Sequence, residues 1–332
     1  MRLFEAVPSY FGGKRRLAKK ILTYARGETF VDVFMGGGSV SLLAKHLGYR
    51  VLCNDLADRS VIVGRALIEN GVEKIGDDDV ARLFAEPPAG YARLVEEHYC
   101  PDYFTAKHAA FLDRAFANAR AVEDEVKRAL LFYLLIRFIY HVRPFGAFMA
   151  KYVTQEFEKG NIEMLAEKKA VNVERFFYTP YAILKKMQAR INRGIMDNGC
   201  DNRVYQLDAL AFVEQAEGDT AYIDPPYVGT QSYESFYAQI DAILAGKVEP
   251  REPSQFNTAA AMDFFAELLA RARHIPRWII SFGGPKVGVD DVLAVVRRFR
   301  PAEVVPIRHR YTIGSSTRDV GDCTEMLVVA GQ

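Results

Sequence analysis

Thr29-Phe30-Val31-Asp32-Val33-Phe34 runs without a break into Met35-Gly36-Gly37-Gly38-Ser39. The first six residues are rich in β-branched and aromatic side chains, as a buried strand requires. The glycines permit a tight turn and a close approach to bare backbone. Val40, Leu43 and Leu47 then recur at helical spacing. Arg50 to Cys53 reads as a second strand, ending at Asn54-Asp55. Strand, helix and strand in so short a span predict a parallel pair and hence an α/β fold.

Working outward, Leu17, Ile21 and Leu22 predict a short helix ahead of this unit. Further strands are expected at 204–207, 220–223, 277–282, 304–308 and 325–329, and helices at 259–271 and 290–299. The stretch from about Ser60 to Arg190 reads differently. It is mostly helical, with breaks at Asp77-Asp78-Asp79, Pro87-Pro88 and Pro101 and a long helix over 124–140. Arg143-Pro144-Phe145-Gly146 ends that helix, and 147–153 suits a hairpin arm. Residues 229–257 read as a long functional loop carrying Tyr233, Phe236 and Tyr237. One α/β domain, 1–60 plus 200–332, is therefore expected to be split by a helical insertion over 61–199.

Half of the 332 residues are hydrophobic, enough for a sizeable core. The longest apolar segment, Ala129 to Tyr140, is interrupted by Arg137, so no membrane span is expected. With no secretory pattern at the start, a cytoplasmic protein is expected. Cys53, Cys100, Cys200 and Cys323 lack metal-ligand spacing and read as buried free thiols, and no metal site is expected. His141, His274 and His309 show no partner spacing and read as surface or helix-end residues. Net charge is +1, so affinity for nucleic acid does not follow from the total. Two basic clusters bear on it instead: Lys14, Arg15, Arg16, Lys19 and Lys20 early, and Arg308, His309, Arg310 and Arg318 late.

Two features carry chemistry. The Gly36-Gly37-Gly38 turn opens a helix, whose N–H groups favour an anionic ligand group, and Asp55 ends the next strand, where an acid accepts ribose hydroxyls. The alternative reading is a tight turn with a helix cap. A dinucleotide fingerprint is not met, because Ser41 stands where its third glycine would be. The second feature is Asp224-Pro225-Pro226-Tyr227, directly after the apolar Ala221-Tyr222-Ile223. The prolines stop the strand and lack N–H donors, so the loop presents acceptors beside an aromatic ring at a sheet edge. Acceptors beside a ring suit a planar base with an exocyclic amine, and the matching chemistry is methyl transfer to an amino nitrogen.

Four motifs occur in order: Pro8-Ser9-Tyr10-Phe11-Gly12-Gly13-Lys14, the segment Phe30 to Val40, Asn54-Asp55, and Asp224-Pro225-Pro226-Tyr227. The set resembles the Dam-type DNA adenine-N6 methyltransferases, with the α-group order of motifs. The resemblance is close at the two ends of the chain and thin in the middle. It implies a Rossmann-like methyltransferase sheet with an inserted, mainly helical target-recognition domain. It also implies S-adenosylmethionine as cofactor, bound by Tyr10, Lys14, Asp32, Gly36, Gly37, Gly38, Asp55, Asp208 and Asp224. Asp224, Pro225, Pro226 and Tyr227 match the catalytic tetrapeptide. The implied partner is double-stranded DNA, methylated at adenine N6 in a short specific sequence after base flipping. Arg137, Arg143, Phe145 and Lys151, in the region that takes the place of target recognition, are the candidate DNA contacts, although the family's Asn and Gly pattern is poorly kept there. Their alternative reading is a core phenylalanine and helix-capping arginines. A monomer, with a cognate restriction endonuclease as a candidate partner, completes the expectation. The same chemistry on RNA or on cytosine N4, and an idle DNA-binding module of the same fold, are the competing readings.

Overall fold

The alternation of apolar runs and turns yields seven strands among the residues described by the computed structural model, which are 2–8, 10, 12–143, 151–167, 176–227, 233–248, 260–282, 287–310 and 322–331. The strands are β1 (Thr29–Asp32), β2 (Arg50–Asn54), β3 (Arg203–Tyr205), β4 (Thr220–Ile223), β5 (Arg277–Ile280), β6 (Ala302–Arg310) and β7 (Asp322–Ala330). They form one sheet in the order β3-β2-β1-β4-β5-β7-β6. The first five are parallel, with Val31 beside both Leu52 and Ala221. β7 runs antiparallel between β5 and β6, pairing Ile279 with Val329 and Ile307 with Glu325. The chain runs outward from β1 to β2 and β3 on one side, then crosses back to β4 on the other side of β1. That is the switch point at which open α/β sheets bind ligands, outside the carboxyl ends of the strands.

β1, β4 and β5 are almost wholly buried, which is why they read as continuous apolar runs rather than alternating ones. Val31, Ala221, Ile223 and Trp278 join Phe212, Phe265, Leu268 and Val292 in one core. The helix Ala261–Arg271 buries Phe265, Leu268 and Leu269, a stripe at helical spacing. Trp278 anchors the end of this layer by donating its indole N–H to the Ala272 carbonyl at 3.2 Å.

The chain divides into two compact units. The sheet unit comprises Tyr10–Gly71, Met196–Ser235 and Arg251–Gln332, and the other, mainly helical, comprises Met1–Ser9, Val72–Ile195 and Phe236–Pro250. The helical unit is centred on Glu125–Val142, whose first turn is capped by Asp124 accepting the Lys127 N–H at 2.8 Å. Its Phe138 packs on Phe111 with ring centres 5.0 Å apart.

Two local expectations give way to helix. Within 229–257, residues Tyr233–Ala245 are helical, and the flanks 228–232 and 249–259 lie outside the described residues. The polar residues there conceal an apolar stripe: Tyr237, Ile240, Ile243 and Leu244 are all buried at helical spacing. Tyr237 stands edge-on to Tyr140 with ring centres 6.4 Å apart. Of the expected hairpin arm over 147–153, residues 147–150 lie outside the described residues and the rest begins the helix Lys151–Glu158. Val153 and Phe157, one turn apart, pack with Leu165 and Phe176 in a small separate cluster.

Among the described residues, no helix is long and apolar enough to cross a membrane. No group of three or more His, Cys, Asp or Glu side chains there could hold a metal ion. Cys53 is a buried free thiol, whereas Cys100 and Cys200 are half-buried.

Candidate active site

β1 and β4 deliver Asp32 and Asp224 to the same sheet edge, because Asp32 pairs with Tyr222 across the parallel ladder. β2 delivers Asp55 beside them. Asn54 stitches these ends together: its side chain donates to the Leu207 carbonyl at 3.0 Å and accepts the Leu207 N–H at 2.9 Å, and its carbonyl accepts the Met35 N–H at 2.9 Å. An Asn-Asp pair at a strand end therefore has a division of labour, Asn for structure and Asp for the turn.

Gly36 and Gly38 take positive φ values of 53° and 72°, so the turn needs their backbone freedom. Gly37 is required for a different reason. A Cβ there would lie 2.8 Å from Cβ of Tyr10, whose ring packs over the turn. Asp55 holds the turn from the other side, accepting the Gly36 N–H at 2.8 Å and the Ala57 N–H at 2.9 Å. Arg59, buried and absent from the sequence reading, donates to the Tyr10 hydroxyl at 3.3 Å.

Three carboxyl groups cluster at this edge, Asp32 buried and Asp55 and Asp224 half-buried. Burial pushes Asp32 up to about 7, despite the Ser41 hydroxyl donating to it at 2.5 Å, and Asp224 and Asp55 push it further in the same direction. Burial likewise raises Asp55 and lifts Asp224 to about 6. Among the described residues Asp32 Oδ1 meets no donor at full hydrogen-bond geometry, although the Phe34 N–H lies near enough to lower its pKa. An acidic, desolvated edge with an under-filled acceptor fits a ligand that brings donors and positive charge. S-adenosylmethionine, with its ammonium and sulfonium, has that chemistry, and the turn and Asp55 suit its carboxylate and ribose.

Asp224 is not alone in its pocket. Lys14, 8% exposed, donates to Asp224 Oδ1 at 2.8 Å and to the Tyr227 hydroxyl at 3.1 Å. Burial works against the lysine charge, yet Asp224, Tyr227, Tyr222 and Glu325 together hold its pKa well above the usual range. The Tyr227 hydroxyl turns inward and donates to Glu325 Oε1 at 2.6 Å, and Ser281 donates to the same oxygen at 2.7 Å. The Tyr227 ring meets Phe282 edge-on with centres 6.5 Å apart. Burial opposes the Glu325 charge, but Lys14 and the two hydroxyls hold its carboxyl below the usual range. Ser281 fell in the strand expected over 277–282 and Glu325 in that expected over 325–329, neither with a chemical role. The available signal was an acid at the head of the otherwise apolar Met326-Leu327-Val328-Val329-Ala330.

The remaining candidates take no part in these contacts. Asp208 is exposed and caps the helix Ala209–Gln215, accepting the Leu210 N–H at 2.9 Å. Arg137 and Arg143, expected at the duplex, are instead buried inside the helical unit. Arg137 donates to the Ala6 and Glu5 carbonyls, and Arg143 to the Tyr103 carbonyl. A guanidinium has five donors in a fixed fork, which suits it to gathering buried carbonyls. Lys151 is about half exposed and pairs with Asp102 at 2.9 Å. Phe145 lies outside the described residues, as does Arg318, and the side chains of Arg308, His309 and Arg310 are not described.

The chain is 25% identical over 314 residues to Type II methyltransferase M2.HphI of Haemophilus parahaemolyticus, covering 92% of each. It is 23% identical over 338 residues to Type II methyltransferase M.NlaIII of Neisseria lactamica, covering 91% of each. It is 23% identical over 366 residues to Modification methylase LlaI of Lactococcus lactis subsp. lactis, covering 96% of this chain and 54% of that protein. The family model described as D12 class N6 adenine-specific DNA methyltransferase matches residues 10–242, a span that holds Tyr10, the glycine turn, Asp55 and the 224–227 tetrapeptide. The chain belongs to the family of D12 class N6 adenine-specific DNA methyltransferases.

Proposed function

We propose that this chain methylates the N6 amino group of adenine within a specific duplex sequence, with Asp224 and Tyr227 receiving a base swung out of the helix. The observation that carries the reading is Asp224 standing at the β4 edge with one oxygen fixed by Lys14. Bound S-adenosylmethionine supplies an electrophilic methyl group on a positively charged sulfur. Tyr10, Asp32, Gly36, Gly37, Gly38, Asp55 and Asp208 would hold it.

The adenine amine is a weak nucleophile because its lone pair is shared with the ring. Asp224 and the Pro225 carbonyl each accept one amino hydrogen, which localises the pair and stabilises the charge that develops on nitrogen. Lys14 keeps Asp224 oriented. Tyr227, tethered through its hydroxyl, offers its ring for stacking. Swinging a base out costs a few kcal/mol, offset by phosphate contacts. The helical unit selects the target sequence, and Lys151 contributes a phosphate contact. The chain acts as a monomer in the cytoplasm, and relatives named as type II and modification methylases support a restriction endonuclease of matching specificity as its biological counterpart.

Incubation with labelled S-adenosylmethionine and duplex DNA, followed by digestion, should place the label in N6-methyladenine. Label only in cytosine, or only in RNA, overturns the reading. Asp224→Ala should lower transfer by roughly 10²–10³, about 3–4 kcal/mol. Its cofactor affinity should fall less than that of Asp55→Ala.

A further inference from the structure

A carboxylate that no motif marks completes the site. Glu325 Oε1 lies 2.6 Å from the Tyr227 hydroxyl, 2.7 Å from Ser281 Oγ and 3.2 Å from Lys14 Nζ. Ser281 is fully buried, and its hydroxyl stands 3.0 Å from that of Tyr227. The antiparallel course of β7 brings this residue to the carboxyl edge of β5, beyond the span matched by the family model. We infer that Glu325 is a positioning residue for methyl transfer: it tethers Tyr227 and shares Lys14 with Asp224, so that Asp224 keeps acceptor strength for the adenine amine.

The inference rests on the roles given above to Asp224 and Tyr227. Its physical basis is competition for one cation. Lys14 sits 2.8 Å from Asp224 and 3.2 Å from Glu325, between two negative groups. With Glu325 neutral, the whole lysine charge falls on Asp224, and a carboxylate bound to a full ammonium is a poorer acceptor for an uncharged amine. The groups facing Asp224 fix the sign of the effect. Lys14 and the Tyr222 hydroxyl lower its pKa, Glu325 on β7 raises it, and Asp224 in turn raises Tyr222 and Tyr227, on and after β4, and Asp32 on β1. Removing the Glu325 charge therefore lowers the pKa of Asp224. The tether has a second consequence. With its hydroxyl fixed by Glu325, Tyr227 loses rotational freedom before the base arrives, which favours a preorganised ring.

The decisive variant is Glu325→Gln, which keeps an oxygen acceptor for both hydroxyls and removes only the charge. Single-turnover transfer to unmethylated genomic duplex DNA would be followed from pH 5 to 8 at saturating cofactor, alongside cofactor affinity and thermal melting. The rate should fall by about tenfold or more, less than the roughly 10²–10³ of a direct transition-state partner. The acid limb should move to lower pH, and cofactor affinity should stay near the wild-type value. Both the rate loss and the displaced limb are required, and the absence of either overturns the inference. Glu325→Ala, which also frees Tyr227, should be slower still, but the test does not depend on its folding. Asp224→Asn separates the two levels. Normal turnover in that variant refutes the catalytic reading itself, whereas its loss beside an unaltered Glu325→Gln profile refutes only the inference.

Discussion

At the scale of single residues, the active edge is a problem of unbalanced charge. Burial raises Asp32, Asp55 and Asp224, the other two raise Asp32 further, and Lys14 answers only part of that negative charge. A carboxyl whose pKa is near 7 is about half protonated at neutral pH, and an arriving cation lowers that pKa. Binding of the cationic cofactor should therefore expel protons. Calorimetry at pH 7 in buffers of different ionisation enthalpy should show net proton release, reduced in Asp32→Asn. Proton uptake, or release untouched by that substitution, would contradict this account of Asp32. The sequence placed Asp32 inside a strand over 29–34 that runs into a glycine turn, and the structure ends that strand at Asp32. The sequence could not show that Ser41, a failed fingerprint glycine, would donate to Asp32 at 2.5 Å.

At the scale of elements, the β1-turn-helix-β2 unit was readable because every interaction that forms it is local. Strand, turn and helix signals lie within one short stretch and agree with one another. The turn has a consequence that its glycines alone do not reveal. Gly37 is where the Tyr10 ring approaches, so Gly37→Ala should displace Tyr10 and weaken cofactor binding by about tenfold, with a small change in melting temperature. Equilibrium titration against Gly76→Ala, where φ is −88° and the added methyl makes only ordinary contact with Asp79, measures the difference. Unchanged affinity in Gly37→Ala would separate Tyr10 from the cofactor site. Elements in the second half were less legible. Tyr233–Ala245 read as a loop because polar residues such as Gln239 and Asp241 interrupt its apolar stripe, and the packing that makes it a helix lies in distant sequence.

At the scale of the whole molecule, a net charge of +1 gives no general attraction for DNA, so affinity must come from local cations. With Arg137 and Arg143 occupied inside the helical unit, Lys151 is the exposed candidate among the described residues of that group. Lys151→Gln should weaken DNA binding across sequences and reduce the slope of log affinity against log salt by about 0.9. A slope identical to wild type would remove Lys151 from the interface. The sequence changes character near Ser60, whereas the helical unit of the structure takes up the chain at Val72, and residues 236–250 belong to that unit although they follow the tetrapeptide. No local signal marks that exchange, because membership is set by what a segment packs against.

The sequence alone determined the strand types, the glycine turn and the placing of Asp55 and Asp224 at strand ends, since hydrophobic periodicity and backbone preferences act over a few residues. Only the tertiary structure decided the partners of Asp224. Lys14 reaches it across 210 residues of sequence, and Glu325 meets Tyr227 across 98. These contacts exist because β4 lies beside β1 and an antiparallel β7 lies beside β5, and such pairings depend on how the whole sheet closes its core.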